Sequence, residues 1–137
     1  MKVIVCVDDN GGVMFNNRRQ SKDKLLVNMI IDITKNSKLW VSSYTASLFD
    51  ENQQDTISIS DDFLNSIKED EYCFAEGMSL CNIEAQIQSV ILFKWNRVYP
   101  ADTYIDITLS EGKWQLVRSL DFKGYSHDKI TMEEYVK

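Results

Sequence analysis

The 137-residue sequence contains one histidine, His127, and only three cysteines, Cys6, Cys73 and Cys81. One histidine cannot build a multi-histidine metal centre. Three cysteines without Cys-x-x-Cys spacing fit neither a disulfide framework nor a zinc site. No apolar run approaches the length of a membrane span. The opening Met-Lys-Val-Ile-Val-Cys-Val-Asp-Asp lacks the apolar core and small-residue cleavage site of a secretion signal, so a cytoplasmic location without a membrane partner is expected. A cationic surplus is also missing: 15 Lys and Arg stand against 21 Asp and Glu, a formal net charge of −6. Sequence-independent nucleic-acid binding needs a cationic footprint, so no nucleic-acid partner is expected. The cluster Arg18, Arg19, Lys22 and Lys24 reads as a solvated loop and helix start. Repeats, low-complexity stretches and linkers are absent, which predicts a single domain over residues 1–137.

What is present is the pattern of an α/β chain. Val3–Val7 is a β-branched apolar run, the mark of a buried strand. Asp8–Gln20 is rich in Asp, Asn and Gly and reads as a loop. Ser21 is the expected N-cap of a helix, with Asp23 in its first turn and Leu25, Leu26, Met29, Ile30 and Ile33 at helical spacing. Short strands are expected at Leu39–Ser42, Thr56–Ile59 and Tyr72–Ala75, a strong one at Ser89–Trp95, and a late antiparallel pair at Trp114–Leu120 and Lys129–Val136. Helical segments are expected at Thr45–Phe49, Asp61–Ile67 and Met78–Gln86. Strand–helix alternation followed by late strands implies a central, mostly parallel sheet flanked by helices and ending in an antiparallel hairpin.

Ile4-Val-Cys-Val-Asp-Asp-Asn-Gly-Gly-Val-Met-Phe-Asn-Asn17 resembles the opening of dihydrofolate reductases, Ile-Val-Ala-Met-Asp-Glu-Asn-x-Gly-Ile-Gly-x-Asp-Asn. Tyr99-Pro-Ala-Asp-Thr-Tyr104 and Trp114-Gln-Leu-Val are similar in layout to the family's Asp-Thr-x-Phe-Pro and Trp-x-x-Val. The tail Phe122–Thr131 resembles a group of short reductase-like proteins of anaerobic Gram-positive bacteria, some of which bear the name ribonuclease Z. The metallo-hydrolase of that name needs a histidine-rich zinc motif, which one histidine cannot supply.

The resemblance implies a cleft lined by Val5, Cys6, Met14, Leu26, Ile30, Tyr44, Glu76 and Gly77. Within it the family's functional residues are altered. Val13-Met14 replaces Ile-Gly, putting a long side chain where glycine lets the backbone approach a ligand. Counting back from Thr34, Leu26 stands where the family places its pterin-binding acid, and Asp23 is the only acid within a turn. Ser43-Tyr44-Thr45-Ala46 replaces the phosphate-binding Gly-Arg-x-Thr, so the guanidinium is gone. Glu76-Gly77 replaces a Gly-Gly pair, bringing a negative charge to the expected pyrophosphate site. By the resemblance, the Glu76–Gly77 peptide is expected to be cis.

These departures predict a protein that has lost reductase activity, carries no cofactor, NADPH included, and binds a small molecule or a protein partner. Two alternatives stand beside that reading. One is an enzyme of altered chemistry using Asp23, Glu76 or His127 in the old cleft. The other is a divergent NADPH-dependent reductase of a folate or deazapurine-like substrate. His127 is flanked by Ser126 and Asp128, and local turn hydrogen bonds are the expected arrangement for these neighbours. No serine or cysteine lies in a recognisable nucleophile motif. Trp40, Trp95 and Trp114 are expected to serve packing.

Overall fold

The computed structural model describes residues 1–137. Strands β1 (Lys2–Val7), β4 (Leu39–Val41), β5 (Ser58–Ile59), β6 (Tyr72–Phe74), β7 (Ser89–Lys94), β9 (Gln115–Phe122) and β10 (Ile130–Val136) form a seven-stranded sheet. Their order is β5-β4-β6-β1-β7-β10-β9. The strands from β5 to β7 pair in parallel, while β10 runs antiparallel to both β7 and β9. This is the expected α/β architecture, with β6, β1 and β7 adjacent at its centre.

The period-two pleat divides β1 between two apolar clusters. Val3, Val5 and Val7 join Val90, Leu92, Ile107 and Trp114 on one face. Ile4 joins Leu26, Ile30, Phe74, Ile91 and Phe93 on the other. The second face is covered by α1 (Lys24–Thr34), whose Leu26, Val27, Ile30 and Thr34 are buried. Met29 and Ile33 pack at its margin, whereas Leu25 is exposed. Asp23, not Ser21, caps this helix: its extended backbone precedes the first turn and its carboxylate accepts from Leu25 N and Leu26 N.

Several local expectations are corrected. The supposed loop Asp8–Gln20 holds β2 (Gly12–Phe15) and β3 (Arg18–Arg19), which form a small second sheet with β8 (Thr103–Tyr104). Asn16 and Asn17, at φ of 52° and 60°, make the two-residue turn between them. Both central residues at positive φ suit the twist of a tight hairpin, and asparagine tolerates that region. The helices expected at Asp61–Ile67 and Met78–Gln86 are 3-10 turns at Phe63–Asn65 and Cys81–Gln86. The first anchors itself by one buried side chain, Phe63, too little to offset the nucleation of a longer helix. Between β4 and β5 the chain forms a short helix α2 (Ser43–Ala46) and a 3-10 segment, Glu51–Thr56. No helix is long and apolar enough to cross a membrane.

Ile30 is fully buried between α1 and the sheet. Truncating Ile30→Ala should destabilise the fold by about 2–5 kcal/mol, the usual sum of lost transfer energy and residual cavity. Urea unfolding will show this as a lower midpoint with an unchanged slope; a loss below about 0.5 kcal/mol would mean that α1 does not pack as described.

Candidate functional site

The parallel strands aim their carboxyl ends at one edge of the sheet, the edge where ligands bind in open α/β folds. Cys6 near the end of β1, Ala75 and Glu76 after β6, and Trp95 after β7 meet Arg19–Asp23 and Leu26 around a notch there. The notch is small, about 20 Å³, on the order of the space one water occupies. Lys22, Asp23, Val27 and Leu48 also line an adjoining outer groove of about 460 Å³, completed by Lys24, Asp50, Gln53, Tyr125 and Ser126.

The expected cleft residues do not all meet here. Cys6, Leu26 and Glu76 line the notch. Val5 does not, because the pleat turns it to the opposite face of the sheet. Ile30 lies in the core beneath, fully buried. Met14 is buried against Gly77, where an added Cβ would collide with its sulfur. Gly77 turns the chain at φ +79°, and the Glu76–Gly77 peptide is trans. The expected cis bond is therefore absent: glycine's freedom at positive φ makes the turn. Tyr44 stands at the rim, 40% exposed.

Two polar constellations bound the notch. In the first, Arg19 donates through Nε and one terminal nitrogen to the two carboxylate oxygens of Glu76, both at 2.9 Å. Thr45 Oγ1 donates to the same carboxylate at 2.9 Å. The guanidinium lies 4.2 Å from the centre of the Tyr44 ring and also donates to Tyr44 O, while Arg19 N donates to Tyr44 Oη. The Glu76 charge is thus fully engaged within the chain. Arg19 had been read as part of a solvated cluster; its partner lies 57 positions away, and only the fold brings them together.

The second constellation centres on Asp23. Its carboxylate is buried and accepts from the backbone N–H groups of Leu25, Leu26, Tyr125 and Ser126, from Ser126 Oγ, and from His127 Nδ1 at 2.8 Å. Burial alone would raise its pKa, but the donors at Tyr125, His127, Ser126 and Leu26 outweigh it and hold the carboxyl well below the usual range. An ionised Asp23 can only accept, so His127 Nδ1 carries a hydrogen and Nε2 faces the notch side. There Ser21 Oγ lies at 2.9 Å and Tyr99 Oη at 3.2 Å. Trp95 stacks on the imidazole with centroids 4.6 Å apart. The expectation of purely local bonds among Ser126, His127 and Asp128 is therefore corrected: Ser126 does contact His127 Nδ1 at 3.3 Å, but the principal partner is 104 positions away.

Among the sequence candidates, Asp23 and His127 come together, and Glu76 sits in the separate cluster. Ser21, read as a helix cap, and Trp95, read as packing, are site residues that sequence reasoning missed. Ser21 and Asp23 are both good caps two positions apart, and nothing local distinguishes them. Cys6 offers no thiolate, since burial pushes its thiol well above the ordinary range, reinforced by the nearby Glu76 charge. No three His, Cys, Asp or Glu side chains are grouped to hold a metal ion.

The depressed Asp23 pKa sets the sign of a pH effect. Its folded value lies below the unfolded value of about 3.9, so its stabilisation is full above that pH and is lost as pH falls through the folded value. Asp23→Asn should cost about 3 kcal/mol at neutral pH by leaving donors around a neutral amide. The variant should also show a shallower loss of stability below about pH 4. Urea midpoints measured from pH 2 to 7 test both; parallel acid limbs in the two proteins would refute the assignment.

The sequence matches no protein-family model and no curated protein. Among solved structures the fold is similar to dihydrofolate reductase from Enterococcus faecalis, determined in complex with NADP(H) and RAB-propyl. The TM-score is 0.67 over 98% of this chain and 94% of that chain, at 11% sequence identity. At that identity the likeness concerns the backbone, and the chain has a dihydrofolate reductase-like fold.

Proposed function

We propose that this chain uses a dihydrofolate reductase-like fold to bind a small molecule without a dinucleotide, and that it has no reductase activity. The observation that carries this reading is the Arg19–Glu76 pair closed by Thr45 and Tyr44. A dinucleotide phosphate needs cationic side chains and unpaired N–H groups at the carboxyl ends of the strands. Here Arg19, the guanidinium that lines the notch, is bound to Glu76. At the start of α2, Ser43 N and Oγ donate to the Asp61 carboxylate at 2.8 and 2.7 Å, and Thr45 N donates to Ser42 Oγ. Two carboxylates thus occupy donors that a phosphate would use, and both would repel it. The residues present do not fit NADPH.

Two features support a small molecule as occupant. The outer groove, at about 460 Å³, falls within the range of ligand sites. Gln20 Oε1, beside the notch, is a buried acceptor with no protein partner, and such atoms ordinarily find a donor in water or a ligand.

Titration with NADPH should leave the tryptophan fluorescence without saturable quenching up to millimolar concentration. Saturable quenching at micromolar NADPH would overturn the reading. In a thermal-shift screen, compounds that bind the native state raise Tm, and Leu48→Arg, at the groove wall, should abolish the shift.

A further inference from the structure

We infer that Ser21 is a nucleophile activated by His127 and Asp23, and that the cleft takes a small acyl ester. The inference rests on the small-molecule reading of the same cleft and assigns it a chemistry. The three groups form a continuous chain: Ser21 Oγ to His127 Nε2 at 2.9 Å, and His127 Nδ1 to Asp23 Oδ2 at 2.8 Å. That is the connectivity of a serine nucleophile, its general base and the base's orienting acid, which is recognised by geometry rather than sequence position.

A purely structural role explains only half of this arrangement. Tying the hairpin turn to the head of α1 requires the Asp23 side of His127, where Tyr125 N, Ser126 N and Nδ1 all converge on one carboxylate. It does not require Nε2 to be directed to a hydroxyl lining a cleft. The ring is held for that task from three sides: by Asp23, by the Trp95 face and by Tyr99 Oη. Ser21 is half-buried and lines the notch, within reach of solvent. The ester lies in the outer groove between Lys22, Lys24 and Tyr125, with its carbonyl reaching Ser21 at the mouth of the notch.

The reaction balances with water as the only co-reactant. Ser21 Oγ bonds to the carbonyl carbon as its proton passes to His127 Nε2. The carbon–oxygen bond to the leaving alcohol breaks, and that oxygen takes the proton from Nε2. Water then attacks the acyl-serine with His127 again as base, releasing the carboxylic acid and restoring Ser21. Nothing is oxidised or reduced.

The test is covalent labelling of the full chain with a fluorophosphonate, read by intact mass and peptide mapping, beside p-nitrophenyl acetate turnover. The expected result is one label, on Ser21, with a rate at least about 100-fold above that of Ser21→Ala. Ser21→Ala is a mild change at a half-buried position and should keep the wild-type Tm. His127→Gln should abolish labelling; because His127 is buried, its circular dichroism and Tm are checked alongside. Absence of labelling in wild type, labelling elsewhere, or equal rates in wild type and Ser21→Ala would overturn the inference. Those outcomes leave the thermal-shift and NADPH results untouched, so failure of the chemistry and failure of the binding reading are separable.

Discussion

The buried carboxylate of Asp23 is the interaction on which this structure turns. An ionised acid removed from water is costly unless its lone pairs are all met, and here the donors come from both ends of the chain. Two are N–H groups in the first turn of α1, two belong to the backbone of the turn between β9 and β10, one is Ser126 Oγ and one is the ring of His127. Gly124 belongs to the same requirement, because a Cβ there would meet Asp23 Oδ2 at 2.5 Å and Ile130 at 2.9 Å. One charge thus sets the start of the main helix, the path of the terminal hairpin and the orientation of the only imidazole.

The cleft shows the same logic at its second charge. In an open α/β sheet the carboxyl edge is a place where backbone donors lack partners. This chain meets one of them, Ser43 N, with its own Asp61 at α2, and places Glu76 after β6, where Arg19 and Thr45 hold it. The internal ion pair is bidentate and its members are mostly shielded, with side-chain exposures of 18% and 9%. It therefore resists screening by salt better than a surface pair would. What remains open lies on the α1 side of the edge, around Ser21, Trp95 and the outer groove.

The framework was legible where burial imposes a period. The β-branched runs of β1 and β7 and the 3.6-residue stripe of α1 declare themselves because one face of each must be apolar. The hairpin of β2 and β3 was not legible: its signal is two asparagines at positive φ inside a stretch whose composition reads as loop. The 3-10 turns were overread as helices because caps and short apolar triplets occur in both. At the site, Asp23 and Glu76 stood out through the positions they hold in the family resemblance, and His127 as the one histidine. Their partners could not be named, because Arg19 and Glu76, or Asp23 and His127, meet only through a sheet order that no local pattern encodes. The mistaken cap shows the limit well: Ser21 and Asp23 satisfy the same local rule, and the choice is made by a hairpin a hundred positions downstream.

The convergence on Asp23 also ties two distant parts of the chain into one unit. The head of α1, which seats against Ile4 and Phe93, and the hairpin whose strand β10 lies between β7 and β9 are joined through the same carboxylate. A displacement of either one withdraws donors from a buried charge that the other cannot satisfy alone. The cleft beside them therefore keeps its shape only while helix and hairpin hold together.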